Sequence, residues 1–317
     1  MLYYYLKGSE IMISAIAITM LAALLWAITI YIDKLLLNNM DESASNIKTL
    51  LVFSTLVAGL VLSPIWLIIS KFSISISILS LISIFISSFV CVLAIYFYFK
   101  ALEKNDASVV VIMFQTIPVF TYIMALILFK ESLTITQVIG SIIIILAAII
   151  ISFNFEEKNN KSKFKALLFM TLASLFSAIY YIFFDIAIRN SSYVSCAFWY
   201  QIGLLIIGLI LISIKSYRKS FIKAIKNNGK KYFSLNITNE VLNLIAHFLV
   251  NFANVTIPIA LANISNGFQV IFVFLLGILG ARFLPKYFKE NLSKKVLFQK
   301  LGCILLSFLG LIIIFIK

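Results

Sequence analysis

Residues 239–251, NEVLNLIAHFLVN, concentrate most of the chemistry of an otherwise apolar chain. They hold the only histidine and one of twelve acidic residues, and Glu240, Asn243, His247, Asn251 and Asn254 follow one another at spacings of three or four. On an α-helix that spacing puts all five on one face. An imidazole titrates near neutral pH, a carboxylate in a medium of low dielectric holds its proton more tightly, and amides offer donors and acceptors in pairs. Such a stripe can respond to protons or orient a polar ligand. It can also act as glue between neighbouring helices.

The rest of the chain tells which setting the stripe occupies. Of 317 residues, 62% are hydrophobic and 12% charged, with a mean hydropathy of +1.09. Soluble domains use roughly 45 to 50% apolar residues, so this composition requires an integral membrane protein. No long stretch lacks an apolar run, which leaves no room for a soluble domain. The first apolar run shows no small-residue cleavage pattern, and a retained span is expected there rather than a signal peptide.

A hydrocarbon core of ~30 Å needs about 20 apolar residues per helix. Ten such runs are present, at 11–32, 49–70, 76–99, 107–129, 135–154, 166–188, 193–214, 235–255, 260–281 and 296–316. The eighth and ninth are interrupted by asparagines, with Pro258 between them as a helix breaker. TITQ at 134–137 reads as a capping box opening the fifth helix. Gly140 and Gly302, early in the fifth and tenth spans, would let helices approach closely.

The stripe therefore lies inside a span. An ionisable group at mid-membrane costs at least ~2.5 to 3.5 kcal/mol, so it should face protein or a watery cavity. Interhelical hydrogen bonds of ~0.6 kcal/mol on average permit the glue reading as well; the cavity-lining reading is preferred for Glu240, Asn243, His247 and Asn251. Among Trp26, Gln115, Thr116, Tyr180, Tyr181, Trp199, Tyr200 and Gln201, which can wall a pocket as amphipathic groups, Gln115, Tyr181 and Gln201 are the ones singled out. Asp33, Asp185 and Glu131 stand near helix ends, where caps, turns or charge anchors are expected ahead of substrate contact.

Cys91, Cys196 and Cys303 lie singly in apolar runs, a pattern of packing thiols rather than of disulfides or a metal site. No cofactor or metal is implied. A GxxxxGK[ST] phosphate loop is also lacking, which argues against direct use of ATP.

The chain looks duplicated. An offset of 152 pairs Asp33 with Asp185, Ala94 with Ala246, Ala101 with Ala253, Ile112 with Ile264 and Phe120 with Phe272. Five runs over residues 11–155, a hydrophilic linker at 156–165 and five runs over 166–317 make two units. Because five is odd, the second unit enters the membrane from the opposite side. Inverted repeats characterise secondary transporters, with the substrate site near the midplane between the halves.

Residues 97–151 resemble the end of helix three through helix five of the EamA type of drug/metabolite transporter. KAL at 100–102, Pro118 with Val119 and Phe120, the FKESLT turn with Glu131, and Gly140 carry the likeness. The second half departs from the pattern: Val270 stands where a proline is expected, and LPKYFKENLSKKVLFQ inserts residues around Glu290. The resemblance implies an all-α polytopic fold, with ten helices in two bundled halves around a central cavity, moving small organic metabolites.

Five of the 26 Lys and Arg residues fall on the side that holds the termini, leaving 21 on the other. The positive-inside rule assigns those 21 to the cytoplasm and puts the termini outside, whereas the resemblance implies termini inside. Residues 214–226, IKSYRKSFIKAIK, place Ile214, Tyr217, Phe221, Ile222 and Ile225 on one face amid basic residues, as expected of contact with an anionic leaflet. These loops account for the net charge of +14 without any sign of a nucleic-acid surface.

The sequence thus leads to a cell-membrane transporter of small organic metabolites such as amino acids, with export implied by the family. Its expected partners are that substrate and the bilayer, and a homodimer is compatible with it. The rival is a multi-pass enzyme or flippase acting on a lipid-linked substrate, with Glu240 and His247 as acid and base.

Overall fold

A computed structural model describes residues 2–38, 46–130, 134–152, 161–256, 267–285, 288 and 290–315. Within them all regular structure is helical: α1 (Leu2–Asn38), α2 (Asn46–Val57), α3 (Ser63–Ile69), α4 (Ile78–Lys104), α5 (Ala107–Phe114), α6 (Ile117–Phe129), α7 (Ile135–Ser152), α8 (Lys161–Ile188), α9 (Tyr193–Ser213), α10 (Lys215–Thr256), α11 (Phe268–Phe283) and α12 (Lys294–Phe315). Helices are the necessary outcome, because lipid offers no partner to backbone N–H and C=O groups.

Eight segments among the described residues are long and apolar enough to cross a membrane, and they coincide with eight of the ten expected runs. The other two differ. The eighth run is part of α10, whose 42 residues amount to ~63 Å at 1.5 Å per residue, about twice the hydrocarbon thickness. The basic stretch 214–226 is therefore, from Lys215 onward, the beginning of the same helix that carries the polar stripe. The ninth run is described only as α11, 16 residues long; Pro258 and Ile264 lie outside the described residues. The linker expected at 156–165 is shorter as a connection, since α8 already begins at Lys161.

Two spans are broken by proline. Ala58–Leu62 forms a π-helical turn immediately before Pro64, where the missing N–H disturbs the ladder one turn upstream. The fourth span breaks at Gln115–Thr116, between α5 and α6. Pro118 lacks a donor and crowds the carbonyl four residues back, so the backbone N–H groups of Gln115 and Thr116 tighten onto Ile112 and Met113 at 3.2 and 3.1 Å. The capping box at the start of α7 is reciprocal: the Thr134 N–H donates to Gln137 Oε1 at 2.9 Å, and the Gln137 N–H to Thr134 Oγ1 at 3.3 Å.

The most extensive packing joins α4 to α8, α7 to α12 and α1 to α10, followed by α1 with α11, α4 with α9, α2 with α10, α6 with α8 and α2 with α9. Every one of these pairs links a first-half helix to a second-half helix, so the halves interleave. The set also has a symmetry. Exchanging each span for the one five places away turns α4·α8 into α10·α1, α4·α9 into α10·α2 and α6·α8 into α11·α1, and leaves α7·α12 and α2·α9 unchanged.

Small residues and hydroxyls make these approaches close. Ala94, Ala101, Ala246 and Ala253 are all buried, and Ala253 packs with Ala15 of α1. Along α4, Ser80, Ser87 and Ser88 donate to the carbonyls of Ala187, Tyr180 and Tyr200 at 2.8, 2.9 and 3.2 Å, tying it to α8 and α9. A Cβ on Gly140 would meet the Gly310 carbonyl at 2.6 Å, whereas one on Gly302 would meet nothing within 4 Å. The glycine that admits α7 to α12 is thus Gly310, not Gly302.

Candidate functional site

α10 runs antiparallel along α1. Tyr232 donates to the Leu36 carbonyl at 3.2 Å, Asn239 Nδ2 donates to Asp33 Oδ1 at 2.8 Å, and the His247 ring stands edge-on to Trp26 at 5.2 Å. The other oxygen of Asp33 accepts from the Tyr98 hydroxyl at 3.0 Å. Asp33 was expected as an end-of-helix cap or anchor; it is instead buried in a hydrogen-bonded junction of α1, α4 and α10. Asp185, its partner in the repeat, forms an exposed ion pair with Arg189 at 2.7 Å.

Glu240 and Asn243 are half-buried and His247 is exposed. The Glu240 carboxylate has no hydrogen-bond or ion-pair partner among the described residues, and it lies within electrostatic reach of Asp33, Cys91 and Tyr200. Cys91 and Tyr200 are also within electrostatic reach of each other. Tyr181 is 44% exposed although it lies well inside α8; its ring lies tilted against that of Tyr180 with centroids 4.2 Å apart, and Cys91 is within electrostatic reach. Groups from α4, α8, α9 and α10 therefore gather around one region.

The remaining expected residues are placed as follows. Gln201 is buried, and its Oε1 lacks a hydrogen-bond partner among the described residues. Gln115 sits half-buried at the break in the fourth span, and the Thr116 hydroxyl donates to the Met113 carbonyl at 2.7 Å. Trp199 donates its indole N–H to the Ile74 carbonyl at 2.9 Å, which gives it a packing role. Asn251 lies within α10, but its side chain and that of Asn254 are outside the described residues, as is Glu131. Cys91, Cys196 and Cys303 are buried and apart.

Two polar clusters escaped the sequence reading. Lys34 directs its ammonium at the carbonyls of Leu102, Glu103 and Asn105 at 2.5, 3.2 and 2.8 Å, capping the C-terminus of α4. Lys300, with 1% of its side chain exposed, bridges Asp106 at 2.7 Å and Glu290 at 2.8 Å. Glu290 also accepts from the Ser108 hydroxyl at 2.7 Å, and its Oε1 lies 3.1 Å from the Tyr31 hydroxyl. A hollow of about 320 Å³ beside these groups is lined by Lys34, Asn38, Glu103, Lys104, Asn105 and Asp106. Both lysines were counted among loop charges because they stand next to helix ends.

These features define the class first: an all-helical, multi-pass integral membrane protein with polar clusters that join its two halves. Residues 13–153 match the model of the EamA-like transporter family. The first half of the chain is thus similar to the EamA-like transporter family, which belongs to the drug/metabolite transporter superfamily. A solved structure described only as "Crystal structure of protein" is similar over 94% of this chain and 96% of its own, at 12% identity and a TM-score of 0.48, a likeness that carries no argument. Comparison with curated proteins gave no match.

Proposed function

We propose that the protein is a secondary transporter of small organic metabolites such as amino acids, exporting them across the cell membrane by alternating access between two inverted five-helix units. The observation that carries this reading is Glu240: a carboxylate well inside a helix, partly accessible and without a hydrogen-bond or ion-pair partner among the described residues, in a chain whose first half is EamA-like. An uncompensated charge at such depth is costly. A ligand or water in a central passage offsets that cost.

Glu240, Asn243 and His247 from α10 and Tyr181 from α8 line this passage in our reading, with Asn251, Gln201 and Gln115 contributing amides. The twofold symmetry of the packing, exchanging spans five places apart, supports two related units, and their odd number of spans supports inversion. The break at Gln115–Thr116 fits the same scheme, because interrupted helices free backbone groups where they border a cavity. Basic residues of 214–226 rest against anionic lipid on the cytoplasmic side.

The test is a metabolite screen with purified protein in liposomes, measuring uptake and exchange with and without a pH gradient. Flux of at least one small metabolite above that of empty liposomes is expected, reduced by His247→Ala and by Glu240→Gln. If no compound in a broad panel crosses faster than in empty vesicles, the proposal fails.

A further inference from the structure

The α1–α4–α10 junction holds more acceptors than donors. Asp33 receives two hydrogen bonds, from Tyr98 at 3.0 Å and Asn239 at 2.8 Å, both from uncharged groups. Neither Asp33 nor Glu240 has an ion-pair partner among the described residues, and the two carboxyl groups lie within electrostatic reach of each other. Among the described residues, Asn239, 2% exposed, is held to Asp33 through Nδ2 and leaves its Oδ1 without a partner. Asn236, fully buried one turn earlier on α10, leaves both Oδ1 and Nδ2 without one among the same residues.

The charged groups of the neighbouring elements do not correct this balance. Lys34, next in sequence, directs its ammonium at three backbone carbonyls of the α4 terminus. From α2, Lys48 donates to Ser216; at the start of α5, Asp106 pairs with Lys300; on α11, Arg282 is exposed. Tyr98 of α4 and Tyr232 of α10 face Asp33 as neutral phenols, and His247 lies about two turns beyond Glu240, against Trp26. A buried carboxylate is tolerated when it is paired or neutralised. What the junction lacks is a small positive charge.

We propose that Asp33, with Asn236, Asn239 and Glu240, binds a small monovalent cation, a proton or a sodium ion, and that this is the ion coupled to transport. The inference rests on the transport reading for the word "coupled", but the binding itself does not. Asp33 and Asn239 lie on the buried side of α10 against α1, whereas Glu240 belongs to the face with Asn243 and His247. Occupancy at Asp33 changes the charge that Glu240 feels, and so links the cation to the ligand-facing side of the helix.

The experiment uses the full chain in detergent micelles. Thermal unfolding midpoints are compared in sodium chloride and in choline chloride of equal ionic strength, and infrared difference spectra are recorded across a pH series. A sodium site raises the midpoint in sodium only, and the rise is lost in Asp33→Asn. A proton site leaves the midpoint unmoved by sodium and shows a protonated-carboxyl C=O band that disappears as pH rises and weakens in Asp33→Asn. Glu240→Gln serves as the second variant if Asp33→Asn does not fold. Wild-type protein showing neither response overturns the proposal, as does a response unchanged in both variants. Cation binding without metabolite flux in liposomes would sink the transport reading and leave the site standing.

Discussion

Replacing Lys300 with Met keeps an unbranched stem of similar length and removes the ammonium that holds Asp106 and Glu290 together. The pairs span 2.7 and 2.8 Å, and the side chains of Lys300 and Glu290 are 1% and 4% exposed, so the loss is felt in a nearly dry site. Breaking a buried pair by removing one partner typically costs about 3 to 5 kcal/mol. Glu290 keeps the hydroxyl and backbone N–H of Ser108, and Asp106 keeps the Asn291 N–H. The expected loss therefore sits at the lower end, about 3 kcal/mol. Unfolding by sodium dodecyl sulfate in mixed micelles, followed by circular dichroism, measures it. The double variant Lys300→Met/Glu290→Gln should lose less than the sum of the singles, with a coupling of about 1 kcal/mol or more. A single variant within about 0.5 kcal/mol of wild type would refute the idea that this cluster clamps the two halves.

His247→Ala and Glu240→Gln should each lower metabolite flux in liposomes while leaving expression intact; wild-type rates in both across about pH 5 to 8 would make the stripe structural glue. Single cysteines introduced at positions 243 and 247 should react with a membrane-impermeant thiol reagent, and uniform protection would point to dry packing there. Gly310→Leu should destabilise the α7–α12 contact by about 1 to 3 kcal/mol or more, whereas Gly302→Ala, with nothing near its Cβ, should leave the unfolding midpoint unchanged; equal effects of the two would contradict the packing described.

The spans were legible because hydrophobic run length is a local property, and the capping box at Thr134 was legible because its four residues bond to one another. Gly140 was read correctly as a contact residue, whereas Gly302, read the same way, has nothing near it: Gly310 and Gly302 look alike in sequence, and only the crossing of α7 over α12 distinguishes them. Lys300 and Asp106 are 194 residues apart, and Ser108 and Glu290 are 182 apart. No periodicity reports such pairings, and a lysine near a helix end reads as a loop charge. Asp33 misled for the same reason, since its burial comes from Tyr98 and Asn239 on two other helices. The stripe on α10 was visible as a face, yet it is the neighbouring Asn239 that holds the buried hydrogen bond to Asp33. Asn236, four residues before Glu240, continues the same spacing but was not singled out.

The interleaving of the two halves bears on how the protein is made. A chain that has emerged only as far as α7 has threaded its early helices into the bilayer but lacks the surfaces they will lean on, since α1, α2, α4 and α7 all find their largest neighbours among helices not yet synthesised. The hydroxyls of Ser80 and Ser87 must wait for carbonyls supplied by α8. Assembly is thus a late, concerted closure rather than the docking of two finished pieces, and the nascent first half is the stage at which insertion machinery and quality control have the most to hold.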